Sequence, residues 1–314
     1  MRIAIYGAGG VGGYFGGRLA EAGEDVTFLA RGEHLAAIQR DGLSVKSVAG
    51  DFHIANAQAT DDPAMVGKVD CVILAVKAWQ VAEAVDAMRP MIGANTFVVP
   101  FENGVEAADQ VAAALGERHA VGGLCGILAY RDAPGHIVHA GVDPFVRFGE
   151  RDNRPSERLE TLKLAFERAH GVQAEIPEDI TVAFWSKFLF ICAMSGIGAI
   201  TRVPIGVSRQ LPQTRGMIER ILDEIVQVGR ARGVALPDNA VQRALKFIDA
   251  LPASGTASMQ RDIMDGHPSE LESQNGAVVR LGEACGVATP VNALIYAALL
   301  PQERAARGEP SSEC

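Results

Sequence analysis

The feature that most constrains this chain is Gly7-Ala8-Gly9-Gly10-Val11-Gly12, set between an apolar strand ending in Ile3, Ile5 and Tyr6 and a helical stretch from Tyr14 to Ala22 closed by Gly23. Val26 to Leu29 then returns as a second strand. Strand, G-x-G-x-x-G turn, helix and strand in this order form the context of a dinucleotide-binding unit. Glycines allow the tight turn and let a pyrophosphate approach backbone N–H groups at a helix N-terminus, where the helix dipole favours negative charge. The competing reading is a glycine turn of purely structural use.

A chain of 314 residues suggests two domains, and 48% hydrophobic with 21% charged residues is the composition of an ordinary soluble globular protein. The formal net charge of -9 argues against nucleic acid as the main partner, because phosphate backbones are held by clustered Lys and Arg. Met1-Arg2 runs straight into the first strand, which leaves no room for a signal peptide, and the apolar, charge-free run from Phe188 to Thr201 is short for a membrane helix. The five cysteines, Cys71, Cys125, Cys192, Cys285 and Cys314, are odd in number and lack C-x-x-C spacing, as expected of reduced thiols in a cytoplasmic protein. No metal site is expected; His136 and His139 read as exposed histidines on a strand.

After the second strand, where an NAD enzyme usually carries an acidic residue for the ribose hydroxyls, the chain places Ala30-Arg31-Gly32. An arginine there suits a 2′-phosphate and so favours NADP(H). Alternatively Arg31 is a solvated charge and Glu33 takes the ribose. Leu43 to Ile54 reads as an inserted hairpin around Ala49-Gly50-Asp51, and Val69 to Val76 as a central parallel strand buried on both faces. That strand ends at Lys77, and the next, Thr96 to Pro100, leads into Asn103-Gly104, so both polar residues stand where ligands bind in open α/β sheets.

Short β-like runs from Val121 to Phe148 predict a mixed edge to the same sheet, followed by a helix from Ser156 to His170 and a last strand from Val172 to Ile176. Pro177 marks the expected boundary: a Rossmann-like, doubly wound, mostly parallel α/β domain over residues 1–176, then an α-helical domain over 177–314. Helices are expected near 178–200, 211–232, 238–249, 269–285 and 290–300, with the polar segment from Arg304 to Cys314 frayed. Within the first of these helices, Lys187 interrupts the apolar segment Trp185 to Ile191. Its ammonium either snorkels to water or projects into a cleft, where it would supply a proton to an alkoxide formed by hydride transfer.

Together, Gly7/Gly9/Gly12, Arg31, Val76-Lys77-Ala78-Trp79-Gln80, Asn103-Gly104, Trp185-x-Lys187, Ser258-Met259-x-x-Asp262 and Glu270-Leu271-x-x-x-Asn275-Gly276 resemble the ketopantoate reductases (2-dehydropantoate 2-reductases) over nearly the whole chain. The resemblance implies NADPH bound through Gly7, Gly9, Gly12 and Arg31, with Lys77, Asn103 and Ala129 beside the cofactor. It implies Lys187 as general acid, Glu270 acting with it or on a substrate hydroxyl, and a small 2-oxo acid held by Asn103 and Ser258. On the residues alone, Ser258 is equally a helix cap and Glu270 a first-turn acid near a helix dipole.

The chain also departs from the pattern: where relatives carry Asn four and eight residues after the lysine, it has Ile191 and Ser195. Ser195 keeps a polar atom at the substrate wall, but Ile191 removes an amide and makes that wall more apolar. The expected reaction is reduction of a 2-oxo acid by NADPH, with ketopantoate to pantoate first in line. A more apolar oxo acid, the oxidation of another hydroxy acid, or a non-catalytic NADP(H)-binding regulator are the alternatives. A homodimer through the helical domain is compatible with the sequence.

Overall fold

The computed structural model describes residues 1–309; Cys314 lies outside the described residues. By its contacts the chain forms two compact units, Met1–Glu102 with Glu106–Ile180, and Asn103–Val105 with Thr181 onward. The chain therefore leaves the first unit for three residues before returning to it.

The first unit runs β1 (Arg2–Tyr6), α1 (Gly10–Glu21), β2 (Asp25–Leu29), α2 (Gly32–Asp41), β3 (Leu43–Ser47), β4 (Phe52–Ile54), β5 (Gln58–Thr60), α3 (Pro63–Val66), β6 (Val69–Leu74), α4 (Val81–Ala87), β7 (Ile92–Pro100) and α5 (Ala107–Leu115). It continues with β8 (Val121–Gly126), β9 (Ala129–Ala133), β10 (His136–His139), β11 (Phe145–Glu150), α6 (Glu157–Arg168) and β12 (Gln173–Glu175). The main sheet is wholly parallel, in the order β5-β2-β1-β6-β7. Because side chains alternate along a strand, Ile3 and Ile5 of β1 enter one core with Phe15 and Phe28, while Ala4 and Tyr6 enter a second with Val72, Leu74 and Val98. Cores on both faces are what make β1 and β6 near-continuously apolar.

The expected hairpin is present as antiparallel β3 and β4. The later strands do not extend the main sheet as expected. They split: β9 and β10 join β3 in a four-stranded sheet, β4-β3-β10-β9, and β11 pairs with β8 on one side and β12 on the other in a three-stranded one. His139 is not exposed but buried, its ring tilted against Tyr14 at 4.8 Å, with Nδ1 bonded to Ser47 Oγ at 2.8 Å. A β-strand sends i and i+3 to opposite faces, so His136 and His139 part company.

The second unit is helical: α7 (Ile180–Thr201), α8 (Ile205–Ser208), α9 (Pro212–Ala231), α10 (Ala240–Ala250), α11 (Ser258–Met264), α12 (Asn275–Cys285) and α13 (Pro290–Ala306). At its centre, α7 is longer than the charge-free run suggested, because Lys187 lies within it. By length and composition it could cross a membrane, but Trp185, Phe188, Leu189, Cys192 and Ile197 form the core of its own unit, and 56% of its most apolar window is buried there. On α9, the buried Glu224 accepts from the backbone N–H groups of Val291 (2.8 Å) and Asn292 (3.0 Å), so a carboxylate satisfies the first turn of α13.

Two expectations change here. The helix predicted from residue 269 begins at Asn275, and Glu270 sits in the turn before it. Helix α13 continues through Ala306, so Arg304 to Ala306 are not frayed.

Candidate active site

The fingerprint glycines have three different reasons to be glycine. Gly7 has φ +104°, and a Cβ there would meet the Ala75 carbonyl oxygen at 2.7 Å. A Cβ at Gly12 would overlap the Gly7 carbonyl oxygen and come within 2.9 Å of Ile5 Cγ2. At Gly9 neither reason holds, since its φ is an ordinary -73° and a Cβ would meet no atom within 4 Å. Gly9 is also the N-cap of α1, where no side chain caps the helix. Bare backbone donors under open space form a cradle for an anion, so this turn fits the pyrophosphate of a dinucleotide.

A cavity of about 270 Å³ opens beside this turn, lined by Gly7 and Gly9 and by Tyr6, Arg31, His34 and Arg131 among others. Arg31 precedes α2, and its exposed guanidinium lies 3.4 Å from Glu83 Oε1. Glu33 is not among the lining residues. Burial pushes the Tyr6 hydroxyl up, and the Arg31 charge opposes that in part. His34 is a strut: the Gly135 N–H donates to Nδ1 at 2.9 Å, so Nε2 carries the proton and donates to the Ala8 carbonyl at 2.7 Å. Burial, and the Arg131 charge to a lesser degree, lower its pKa and keep the ring neutral.

Of the other expected cofactor residues, Lys77 and Ala129 lie in the same unit, whereas Asn103 belongs to the helical one. Lys77 follows β6, with its backbone N–H donating to Gln80 Oε1 at 3.3 Å and its ammonium 5.7 Å from the Trp79 ring centroid. Ala129 opens β9, its carbonyl packed so closely against Gly10 that a Cβ there would overlap it.

In the helical unit a continuous hydrogen-bond chain joins three of the expected site residues. Lys187 Nζ donates to Asn103 Oδ1 at 2.9 Å, and Asn103 Nδ2 donates to Glu270 Oε2 at 3.0 Å. Lysine can only donate and carboxylate only accept, so the Asn103 amide has one orientation that serves both. The sequence reading missed a fourth member, Gln274, whose Nε2 donates to the same Glu270 oxygen at 3.3 Å. It sits one residue before the Asn275-Gly276 pair, and the signal that could have found it is its spacing of four from Glu270.

Ser258 is half-buried as the first residue of α11; the N-cap is Ala257, so Ser258 is not the cap, and no hydrogen bond among the described residues links it to Lys187. Glu270 likewise lies outside a helical first turn. Along α7, Ile191 is half-buried and Ser195 fully buried, its Oγ without a hydrogen-bond partner among the described residues. Between them, the Cys192 thiol is pushed up by burial and further by the negative charge of Glu270, which makes it a poor nucleophile. No group of three His, Cys, Asp or Glu among the described residues is placed to hold a metal ion.

Two family models match the chain in sequence order: ketopantoate reductase PanE/ApbA over residues 3–153 and ketopantoate reductase PanE/ApbA C terminal over residues 179–303. The chain belongs to the ketopantoate reductase family. It is 31% identical to the uncharacterized oxidoreductase YkpB of Bacillus subtilis, over 95% of this chain and 98% of that protein. It is also 31% identical to the 2-dehydropantoate 2-reductase of Mesorhizobium japonicum, over 92% and 94%. Among solved structures, the PanE/ApbA family ketopantoate reductase from Ralstonia eutropha JMP134 superposes with a TM-score of 0.89 at 30% identity, covering 98% of this chain and 100% of its own. D-mandelate dehydrogenase with NADH and anilino(oxo)acetate shares the fold, with a TM-score of 0.88 at 22% identity over 98% and 100%. Family membership makes the protein an oxidoreductase acting on CH–OH groups.

Proposed function

We propose that the protein reduces a small 2-oxo acid to the 2-hydroxy acid with NADPH, with ketopantoate to pantoate, a step of pantothenate biosynthesis, as the first candidate reaction in the cytoplasm. The observation that carries this reading is the Lys187–Asn103–Glu270 chain, which puts a proton donor, a bridging amide and an anionic acceptor in one line. In this reading residues 1–176 are the nucleotide domain and residues 177–314, with Asn103, the substrate domain. The dinucleotide, when bound, supplies a hydride. Lys187 Nζ gives a proton to the oxygen that becomes the hydroxyl, while Asn103 orients that ammonium and Glu270 stabilises its charge or accepts from a substrate hydroxyl. Ser258 offers a hydroxyl to the acid group, and Ser195 a second to the substrate side chain.

On the nucleotide side, the turn at Gly7, Gly9 and Gly12 holds the pyrophosphate, with Ala129 alongside and Lys77 toward the nicotinamide. Arg31 takes the 2′-phosphate. Its present partner is an exposed Glu83, and such surface pairs contribute only about 0–1 kcal/mol, so exchange for a phosphate is cheap. The position of Arg31 on the cavity, with Glu33 off its lining, favours NADPH over NADH.

Ile191 favours a second reading within the same chemistry, a 2-oxo acid more apolar than ketopantoate; the fold also serves D-mandelate dehydrogenase, which acts on an aromatic 2-hydroxy acid. One experiment separates the readings: oxidation of NADPH and of NADH measured with ketopantoate and with branched and aromatic 2-oxo acids, for the parent and for Lys187→Ala. Reduction is expected with NADPH, and Lys187→Ala is expected to lower kcat by ~10²–10⁴ while nucleotide still binds. Tight NADPH binding with no turnover of any oxo acid would instead support a non-catalytic regulator.

A further inference from the structure

Glu270 belongs to no helix or strand, so no regular backbone ladder holds it in place. Its neighbours do. The fully buried Ser269 donates its backbone N–H to both carboxylate oxygens of Glu303, each at 3.0 Å, and its hydroxyl donates to Oε2 of the same group. The Ser269 carbonyl accepts from Arg307 Nη2 at 3.0 Å, and Ser269 Oγ accepts the N–H of Leu271 at 3.2 Å. Glu303 and Arg307, one turn apart at the end of α13, are themselves paired at 2.6 Å.

A carboxylate that is only 4% exposed is expensive to bury unless its oxygens are satisfied, and among the described residues its hydrogen bonds go to Ser269 and Arg307. A buried ion pair can often be replaced by apolar packing with no loss of stability, so stability alone does not account for this one. We propose that Glu303, together with Arg307, is a positioning residue for Glu270: the pair fixes the backbone on both sides of Glu270 so that its carboxylate faces Asn103 and Gln274. This rests on the reading of Lys187–Asn103–Glu270 as the site. The last described helix is then part of the catalytic apparatus although it supplies no group that touches substrate.

The test uses the full chain carrying Glu303→Gln, Ser269→Ala or, as a control, Glu270→Gln, assayed with NADPH and the 2-oxo acid turned over fastest by the parent. Glu303→Gln keeps one acceptor for the Ser269 N–H but loses the Arg307 pair. It is expected to lower kcat by ~10–100-fold, the scale of a small misplacement of a reacting group, and to leave the KM for NADPH unchanged. Ser269→Ala should lower kcat in the same way with the KM for NADPH unchanged, and it carries the test if Glu303→Gln does not fold. A lower melting temperature with kcat unchanged would overturn the proposal, leaving Glu303 merely structural. If Glu270→Gln itself kept the parent's turnover, the reading of Glu270 would fail and the positioning role with it; an impaired Glu270→Gln beside an unimpaired Glu303→Gln would sink the positioning role alone.

Discussion

Gly9→Ala separates binding from folding. The added methyl would meet no protein atom within 4 Å, and the φ of -73° suits any L-residue. Two modest effects on stability oppose each other: alanine restricts the unfolded chain, which stabilises by ~0.4–1 kcal/mol. Alanine is also the poorer N-cap, which costs on the order of 1 kcal/mol. Net stability should therefore stay within about 1 kcal/mol of the parent. Nucleotide binding should not survive so well. A phosphate oxygen about 2.9 Å from a turn N–H would have to withdraw by ~1 Å to clear a methyl group, which is beyond hydrogen-bond range. Losing one charge-assisted hydrogen bond costs ~1.5–3 kcal/mol, or roughly 10–100-fold in Kd. Gly12→Ala makes the contrast, since its methyl collides with the Gly7 carbonyl and Ile5 and should destabilise by ~1–3 kcal/mol or more. NADPH titration by fluorescence, with urea denaturation of each variant, reads both quantities. Parent-like NADPH affinity in Gly9→Ala would refute the cradle, and so would a loss of stability matching that of Gly12→Ala.

Arg31→Ala should weaken NADPH by ~10–100-fold, the equivalent of one charged hydrogen bond, with NADH unaffected; equal losses for both would assign Arg31 away from the 2′-phosphate. Ile191→Asn should shift the ratio of kcat/KM for ketopantoate over a branched or aromatic oxo acid by ~10–100-fold toward ketopantoate, and an unchanged ratio would mean that this position does not select the substrate. His34 gives a pH dependence of defined sign. Burial lowers its folded pKa, so below about 6.5 the unfolded chain binds more protons, and stability falls with pH from there toward the lowered value. Denaturation at several pH values should show that fall in the parent and a shallower one in His34→Gln; identical slopes would remove His34 from the account.

The parallel main sheet with its glycine turn was legible because its signal is local. Strand, three glycines and helix sit within one short stretch, and the steric reasons for Gly7 and Gly12 act between residues close in sequence or on the adjacent strand. The small sheets were not legible, since β10 pairs in parallel with β3 across some ninety residues and no local pattern chooses that partner over the main sheet. Family resemblance implied site roles for both Asn103 and Glu270, but the contact between them, 167 residues apart, was not foreseen, because no spacing pairs residues so distant. Gln274 and Glu303 were overlooked for another reason. Gln274 lies inside a motif that drew attention to its ends, and Glu303 borders a polar tail that composition alone marks as loose. The pairing of Glu303 with Arg307 four residues on was a signal available in the sequence.

The brief passage of Asn103–Val105 into the helical unit limits how the gene can be cut. A fragment beginning at Thr181 would carry Lys187 and Glu270 but lack the amide between them. A chimaera that exchanges nucleotide units with a relative would need Asn103-Gly104-Val105 transplanted along with the helices, as a graft of three codons from the far side of the junction. Two polypeptides divided at residue 180 should therefore complement each other only after reassembly, and neither should hold the Lys187–Asn103–Glu270 line by itself.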